Sequence, residues 1–422
     1  MKNKSWLNVL VAAAMLSLAC SAVSRVIGSP TSLPSPAPTS AASDSNRHLA
    51  VFDAVFNDVR DQYVRADFGG VDWSAIGAQY RSQVAAGQTE EAFAQTMREM
   101  LAKLPAGGAI FQTRAERLAL DTITNTGSYF GIGAYVSYRP SPQPHVVILS
   151  TITNSPAAKG GLQPHDSLLA IDGAPFTTAD ADAPTKRIRG GQGTTVTLTV
   201  QTPGEPSRQM IFQRAPITST DALRGGNLTS VNVAYYRLPV VADANMAAAI
   251  AEDLLTISQT AKLKGIILDL RIARSDANGW PLSQMLTLFT TGKLGEFYTR
   301  TDTTPVEVTG QDVGGSQTLP LVVLVGSDTA GTPEIFAAAL QAAHRATIVG
   351  GPTHGAVLGF NDIALPDGSS LTLATSSFRT STKVDMASAG VKPDNLIALD
   401  WDSYTLDNDP ILATAFSLLP SK

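Results

Sequence analysis

Residues 319–353 read LPLVVLVGSDTAGTPEIFAAALQAAHRATIVGGPT, and this stretch decides the fold of the largest part of the chain. Its first part, Leu319 to Val325, is an apolar run typical of a buried strand. Its second part, Glu334 to His344, is apolar-rich and long enough for a helix. A similar strand run at 264–270 follows a similar helix at 247–257. This alternation predicts an α/β domain with a largely parallel sheet.

Upstream of this domain the pattern changes twice. Apolar residues recur at helical spacing between Phe52 and Leu104, which indicates a helical region over 46–120, with Thr89 as the N-cap of one helix. Short strands separated by Gly and Pro turns then indicate a β-rich module over 126–216. Those strands are Ala134–Tyr138, Val146–Leu149 and Thr195–Val200. We therefore predict an α+β multi-domain protein, with the α/β domain over 218–405 and a tail to 422.

The lone cysteine, Cys20, ends an apolar run near the amino terminus. Two lysines precede Trp6–Ala19, and this run is shorter than the roughly 20 residues that a membrane-spanning helix needs. The order is typical of a secretory signal peptide over 1–20. Leu16–Cys20 resembles a bacterial lipobox, with Ser17 in place of the usual leucine, so we expect Cys20 to carry lipid. The alternative is cleavage near residue 19 or 22, which leaves a free thiol.

The segment over 21–45 is rich in Ser, Pro and Ala and cannot bury a core, so it is predicted to be a semi-extended tether. Together with the signal peptide, it places the folded part outside the cytoplasm and holds it at a membrane through a lipid anchor. A lipobox also implies a bacterium, and hence the bacterial cell envelope.

Composition excludes several classes of function. The 422 residues include 31 basic and 36 acidic side chains, and the net charge of −5 argues against a nucleic-acid partner. One cysteine excludes a disulfide framework and a thiolate-rich metal site. The five histidines form no close pair or HExxH spacing. No metal and no cofactor are therefore predicted.

The stretch Tyr129-Phe130-Gly131-Ile132-Gly133 resembles the carboxylate-binding loop of a PDZ domain. In such a loop, backbone N–H groups receive a peptide's terminal carboxylate while the peptide adds a strand to a sheet edge. Ser155–Leu162 and Asp166–Gly173 are similar to the core signature of PDZ domains, and Gly190–Thr194 completes the pattern. The resemblance implies a module that binds protein or peptide C-termini.

A PDZ module between a helical region and an α/β domain resembles the C-terminal processing (tail-specific) serine peptidases, whose catalytic domain is crotonase-like. The resemblance covers roughly residues 50 to 400 in collinear order. The segments that carry it in the α/β domain are Val233–Leu238, Gly265–Arg271, Pro320–Val325, Glu334–Leu340, Arg345–Thr353, Leu365–Ser369 and Gly390–Asp394.

The catalytic groups that this resemblance implies are absent. The family's nucleophilic serine stands three residues before Glu334, and that position is Gly331. Its general-base lysine stands twenty-five residues later, at Ala356, and a supporting glutamine position is Phe360. A hydroxyl needs an adjacent base to become nucleophilic. Losing either group costs about 10⁶ in turnover in subtilisin.

Two further elements of the family are also lost. A related branch uses a histidine after the helical region, and that position is Gly108. The "NPGG" turn that helps to form the oxyanion hole is replaced over Ile272–Gly279. We therefore predict a catalytically degenerate pseudo-peptidase that binds polypeptide tails.

The alternative is an active serine-type endopeptidase with a non-standard nucleophile, for which Thr332 and His354 are the weak candidates. Simpler interpretations exist, since Thr332 before Pro333 suits an N-cap and His354 suits a packing role. A new pairing with Lys383 or Lys392 is not supported. A third hypothesis is an adaptor that regulates an active peptidase partner, and a homo-oligomer stays possible.

Overall fold

The amino-terminal helices form where apolar residues recur at helical spacing. The computed structural model describes residues 41–105, 107–118, 129–181, 184–275, 279–355, 357–387 and 389–420, so Cys20 and Ala356 lie outside the described residues. In chain order the helices are α1 (Ala41–Gln62), α2 (Trp73–Ala85), α3 (Glu90–Leu101), α4 (Pro156–Lys159), α5 (Met246–Thr260), α6 (Leu282–Phe289), α7 (Thr332–Ala342) and α8 (Pro410–Ser417). Helix α1 begins inside the segment predicted as a tether.

Side-chain caps fix the starts of two of these helices. The Asp72 carboxylate accepts a hydrogen bond from Ala75 N at 3.0 Å at the start of α2. The Thr89 hydroxyl accepts one from Ala92 N at 3.3 Å at the start of α3, which confirms Thr89 as an N-cap. Among the described residues, no helix has both the length and the apolar character needed to cross a bilayer.

The strands lie in three main sheets and two short pairs. In chain order they are β1 (Ala109–Gln112), β2 (Tyr129–Gly131), β3 (Ala134–Arg139), β4 (His145–Thr151), β5 (Ser167–Ile171), β6 (Ala174–Pro175), β7 (Thr195–Gln201), β8 (Arg208–Gln213), β9 (Ala215–Ile217), β10 (Arg224–Leu228), β11 (Val233–Arg237), β12 (Gly265–Asp269), β13 (Arg274–Ser275), β14 (Gly292–Thr299), β15 (Thr303–Val308), β16 (Leu321–Val325), β17 (Ala330–Gly331), β18 (Thr347–Gly350), β19 (Leu358–Ala364), β20 (Ser370–Thr380) and β21 (Asn395–Leu396).

The α/β domain is built on a sheet with the order β10-β11-β12-β16-β18-β21. All neighbours except β10 and β11 are parallel, as the sequence predicts. Helices α5, α6 and α7 lie in the crossovers and pack on one face of the sheet. The carboxyl ends of β12, β16 and β18 consequently meet at one edge, where the family's nucleophile position lies.

The region predicted as helical over 46–120 also contains a strand. Strand β1 pairs antiparallel with β20, far along the chain. Phe111 of β1 and Leu371 of β20 join the same buried cluster as Phe52 and Phe93 of the helices. The amino-terminal helices therefore share their core with the sheet β1-β20-β14-β15.

The PDZ-like sheet has the order β3-β4-β5-β7-β8, and every residue of β4 is buried. Val146 and Ile148 face the core of this module. Val147 and Leu149 face the other way and join a cluster with residues of β12, β16 and β18. The module and the α/β domain thus share a hydrophobic core along β4.

Candidate functional site

The turn after β16 is held by a buried hydroxyl. Thr329 Oγ1 accepts a hydrogen bond from Gly326 N at 3.0 Å and donates one to Leu270 O at 2.8 Å. Thr329 has no solvent exposure. It therefore fastens the turn to the end of the neighbouring strand, as expected for a polar turn residue, and is not available as a nucleophile.

Gly331 occupies a backbone conformation that favours glycine, with φ 74° and ψ −129°. It pairs in parallel with Ser275 through strands β17 and β13. A Cβ atom on Gly331 would lie 1.9 Å from the carbonyl oxygen of Ser275. The backbone of residue 275 therefore fills the space that a nucleophilic side chain would need at this position.

A buried carboxylate organises the start of α7. Glu334 is fully buried and accepts hydrogen bonds from Gly331 N at 2.9 Å, Gly355 N at 2.7 Å and Thr353 Oγ1 at 2.5 Å. Helix α7 begins at Thr332, so the prediction of Thr332 as its N-cap is wrong. Gly331 holds that position, and the Glu334 side chain satisfies its N–H group.

Replacing Glu334 by glutamine is expected to lower the free energy of unfolding by about 2 kcal/mol, because an amide cannot accept from all three donors and one buried donor loses its partner. Glu91→Gln in the exposed first turn of α3 is the matched control and is expected to change stability little. Urea unfolding followed by circular dichroism measures both. Equal stabilities of the two variants would contradict the structural role of Glu334.

The two alternative catalytic residues lie in different environments. Thr332 is buried, with 3% of its surface exposed. His354 is exposed, and its backbone N–H donates to Thr329 O at 3.0 Å. The predicted packing role of His354 is therefore wrong. Ala356 and residues 276–278, the latter in the segment predicted to replace the oxyanion turn, lie outside the described residues.

The described part of the segment Ile272–Gly279, which the resemblance aligns with the oxyanion turn, carries a charged cluster. Arg274 and Arg139, the latter on β3, both form ion pairs with Asp328. Arg274 Nη2 and Arg139 Nη1 also donate to Ser137 Oγ at 2.9 and 2.7 Å. Burial would raise the pKa of the Asp328 carboxyl, but the two guanidinium groups outweigh it and lower that pKa. These charges are paired with each other and link β3 of the module to the turn after β16.

A Ser–His–Asp set also occurs, but its geometry is unsuited to catalysis. Asp402 Oδ2 lies 2.9 Å from His145 Nε2 and accepts from Ser167 Oγ at 2.6 Å. The other nitrogen of His145 lies 2.7 Å from Gln143 O. The carboxylate, not the imidazole, is the neighbour of the serine, so the histidine is not placed to remove the serine proton.

The predicted carboxylate-binding loop borders a groove of about 270 Å³. Its Gly133 has φ 76° and lies so close to Ser155 that a Cβ would meet the Ser155 Cβ at 2.4 Å. Strand β3 follows the loop and is the edge strand of its sheet. The groove walls include Ile132, Val136 and Ile188. An extended peptide could therefore add to β3 beside an apolar pocket.

An exposed arginine lines this groove, and the sequence alone did not single it out. The Arg189 guanidinium lies 4.4 Å from the centroid of the Tyr129 ring, and both residues line the groove. Arg189 is exposed, and none of the described carboxylates pairs with it. The signal in the sequence that could have identified Arg189 was its position directly after the apolar Ile188, which lines the same groove as the loop Tyr129–Gly133. It adds a positive charge where a ligand carboxylate would bind.

Three family models match successive parts of the chain. The Tricorn protease C1 domain matches residues 46–102, the PDZ domain matches 122–201 and Peptidase family S41 matches 232–397. Among curated relatives, the "Carboxyl-terminal-processing protease" of Synechocystis sp. is 29% identical over 366 residues, covering 83% of this chain and 81% of the relative.

A second curated relative and a solved structure agree with these matches. The chloroplastic "C-terminal processing peptidase" of Tetradesmus obliquus is 24% identical over 347 residues, covering 79% of this chain and 73% of the relative. The structure of a photosystem II D1 C-terminal processing protease superposes with a TM-score of 0.63 at 22% identity, covering 83% of this chain and 92% of that chain. The overall fold is therefore shared along most of the chain.

Proposed function

Because this chain belongs to the C-terminal processing peptidase family, which is serine-type and carries a PDZ domain, we propose that it is a pseudo-peptidase that binds polypeptide C-termini. The observation that carries the proposal is the environment of Gly331. The nucleophile position has no side chain, and the Ser275 carbonyl occupies the space beside it. An active peptidase with Thr332 as nucleophile is disfavoured by the burial of that residue and the exposure of His354.

The binding role rests on the groove beside β3. Its edge strand can accept an extended peptide, its walls include apolar side chains, and the lining residue Arg189, which pairs with none of the described carboxylates, offers a positive charge. These are the elements that recognition of a terminal carboxylate and an apolar last residue requires. The protein would bind polypeptide C-termini in this groove without hydrolysing them.

We further propose that the protein is a bacterial envelope lipoprotein anchored through Cys20. The support is the apolar run that ends at this cysteine and the Ser/Pro/Ala-rich segment that follows it. Labelling of the wild-type protein with a radioactive or clickable palmitate, and its loss in Cys20→Ser, would test the anchor. An unlabelled wild-type protein in the membrane-free fraction would contradict it.

Arg189→Ala is expected to weaken the binding of a peptide with a free C-terminus about tenfold or more, because a hydrogen bond to a charged group contributes about 1.5–3 kcal/mol. Lys186→Ala is the matched control, since Lys186 is exposed nearby but is not part of the groove wall. Fluorescence anisotropy with a panel of labelled peptides ending in apolar residues measures both effects. The same peptides with an amidated C-terminus should bind weakly to every variant.

Hydrolysis is tested in parallel by incubating the same peptides and an unfolded protein with the wild-type chain and separating the products by mass spectrometry. Binding without cleavage supports the proposal. Cleavage that disappears in Thr332→Val would support the active alternative instead. Equal affinity for free and amidated C-termini would contradict recognition of the terminal carboxylate.

A further inference from the structure

The PDZ module meets the α/β domain at a contact that contains two buried histidines. The 3₁₀ turn Trp401–Ser403, close to the carboxyl terminus, packs against the paired strands β4 and β5 of the module. Trp401 Nε1 donates to Ile148 O at 2.8 Å. We call this contact, formed by His145, His165 and residues 401–404, the seam. None of the seam residues lines the peptide groove.

The first histidine is arranged to carry a charge. His145 Nε2 lies 2.9 Å from Asp402 Oδ2, and Nδ1 lies 2.7 Å from Gln143 O. Both partners are acceptors, and only a doubly protonated ring donates to both. The hydrogen bond to Asp402 raises the pKa of His145 despite burial and the positive charge of Arg139. Burial would raise the pKa of Asp402, but its bonds to His145 and Ser167 lower it to about 2.

The second histidine is arranged to stay neutral. His165 has no solvent exposure and stacks on Trp401, with ring centroids 4.0 Å apart. Its Nδ1 lies 2.6 Å from Trp401 O, while its buried Nε2 has no hydrogen-bond partner among the described residues. Burial lowers the pKa of His165, and so does the nearby Arg271.

The other charged groups facing His165 do not reverse this preference. Asp269 and Asp409 favour its protonated form, but both are already paired with Arg271. Tyr404 stands 4.7 Å from the His165 ring and also accepts a hydrogen bond from Arg271. A proton on Nε2 would therefore place an unpartnered charge in the interior.

We propose that the seam is a proton-controlled latch, closed by one charged and one neutral histidine, so that deprotonating the first or protonating the second weakens the contact between the PDZ module and the α/β domain. This inference does not depend on the proposed function. Because β3, which borders the peptide groove, pairs with β4, a weakened seam would also loosen the strand that receives a ligand.

The pKa of His145 lies above the ordinary histidine value of 6.5, and the pKa of His165 lies below it. The raised pKa of His145 means that its contribution is complete below 6.5 and is lost as the pH rises through the folded-state value. The lowered pKa of His165 means that its contribution is complete above 6.5 and is lost as the pH falls. Stability should therefore be greatest near pH 6.5 and decline in both directions.

The test is urea unfolding of the folded chain over a series of pH values between about 5 and 9. The wild-type equilibrium constant for unfolding should rise on each side by at most about tenfold per pH unit for each proton involved. His145→Gln should remove the rise on the alkaline side, and His165→Gln should reduce the rise on the acid side. His344→Asn, at an exposed position, should follow the wild-type curve.

His48 is also buried, and burial lowers its pKa. Part of the rise of the unfolding constant at acid pH will therefore persist in every variant, so each variant's curve is compared with the wild-type curve. If His165→Gln fails to fold, Asp402→Asn provides the second variant and should remove the alkaline rise as His145→Gln does. Histidine NMR titration of the wild-type chain should then show two seam residues displaced in opposite directions. Two seam histidines that titrate together at 6.5, or an alkaline rise unchanged in His145→Gln, would overturn the latch.

Discussion

Introducing the catalytic pair that the resemblance assigns to these positions, by Gly331→Ser with Ala356→Lys, is expected to produce no peptide hydrolysis and to lower the free energy of unfolding by about 4 kcal/mol. A serine at 331 must adopt φ 74°, ψ −129°, and its Cβ would lie 1.9 Å from the Ser275 carbonyl oxygen. The chain must shift residues 274–275 to make room. That segment is held by the ion pair between Arg274 and Asp328.

Urea unfolding and a fluorogenic peptide assay measure the two parts of this prediction. Ala330→Ser is the matched control, because it adds the same hydroxyl one residue earlier, outside the positive-φ region. It should keep nearly wild-type stability. A double variant that is as stable as wild type and cleaves peptides would show that the site is vacated in chemistry only, and would contradict the proposed filling of its space.

The second large effect is expected at the carboxyl end of β12, where Asp269→Ala should lower the free energy of unfolding by about 3 kcal/mol or more. Asp269 and Arg271 are both buried, and the guanidinium donates to the carboxylate through Nε at 2.9 Å and Nη2 at 2.7 Å. Tyr235 OH donates to the same carboxylate at 2.8 Å. Removing the Asp269 carboxylate leaves the buried Arg271 guanidinium with Asp409 as its remaining carboxylate partner.

The control for this prediction is Asp53→Ala, which breaks a bidentate ion pair with Arg81 on the surface and should cost less than about 1 kcal/mol. Burial would raise the pKa of Asp269, but Arg271 holds it below the ordinary value. Its contribution is therefore present at neutral pH and lost as the pH falls below the ordinary carboxyl range. Similar losses in the two variants would contradict this account.

The identities of the candidate-site residues follow from the sequence, and their catalytic assignment stays a prediction. Gly331 follows from its register with Glu334, and a missing hydroxyl is visible in the sequence itself. The approach of Ser275 was not predictable, because it depends on a pairing between two-residue strands that are distant in the chain. The capping role of Glu334 was missed for a similar reason, since two of its three donors come from residues 353–355.

The fold was predictable where apolar periodicity is local. Thr89 marks the start of α3, as predicted. The apolar runs at 264–270 and 319–325 contain the strands β12 and β16. Strand β1 was missed because its partner β20 is far along the chain, and four residues carry too little periodicity to identify a strand. The unbroken apolar run Val146–Leu149 did contain a signal for burial on both faces, since a strand with one solvated face alternates apolar and polar residues.

That doubly buried strand has a consequence for how the protein can change over evolutionary time. Since β4 contributes side chains to two cores, the PDZ module cannot be replaced by another PDZ domain without changing the packing of the α/β domain. Val147 and Leu149 pack in a cluster with residues of β16 and with Trp401. A substitution at either position must therefore fit the α/β domain as well as the module. The PDZ module and the α/β domain are therefore expected to change together, because one strand supplies side chains to both cores.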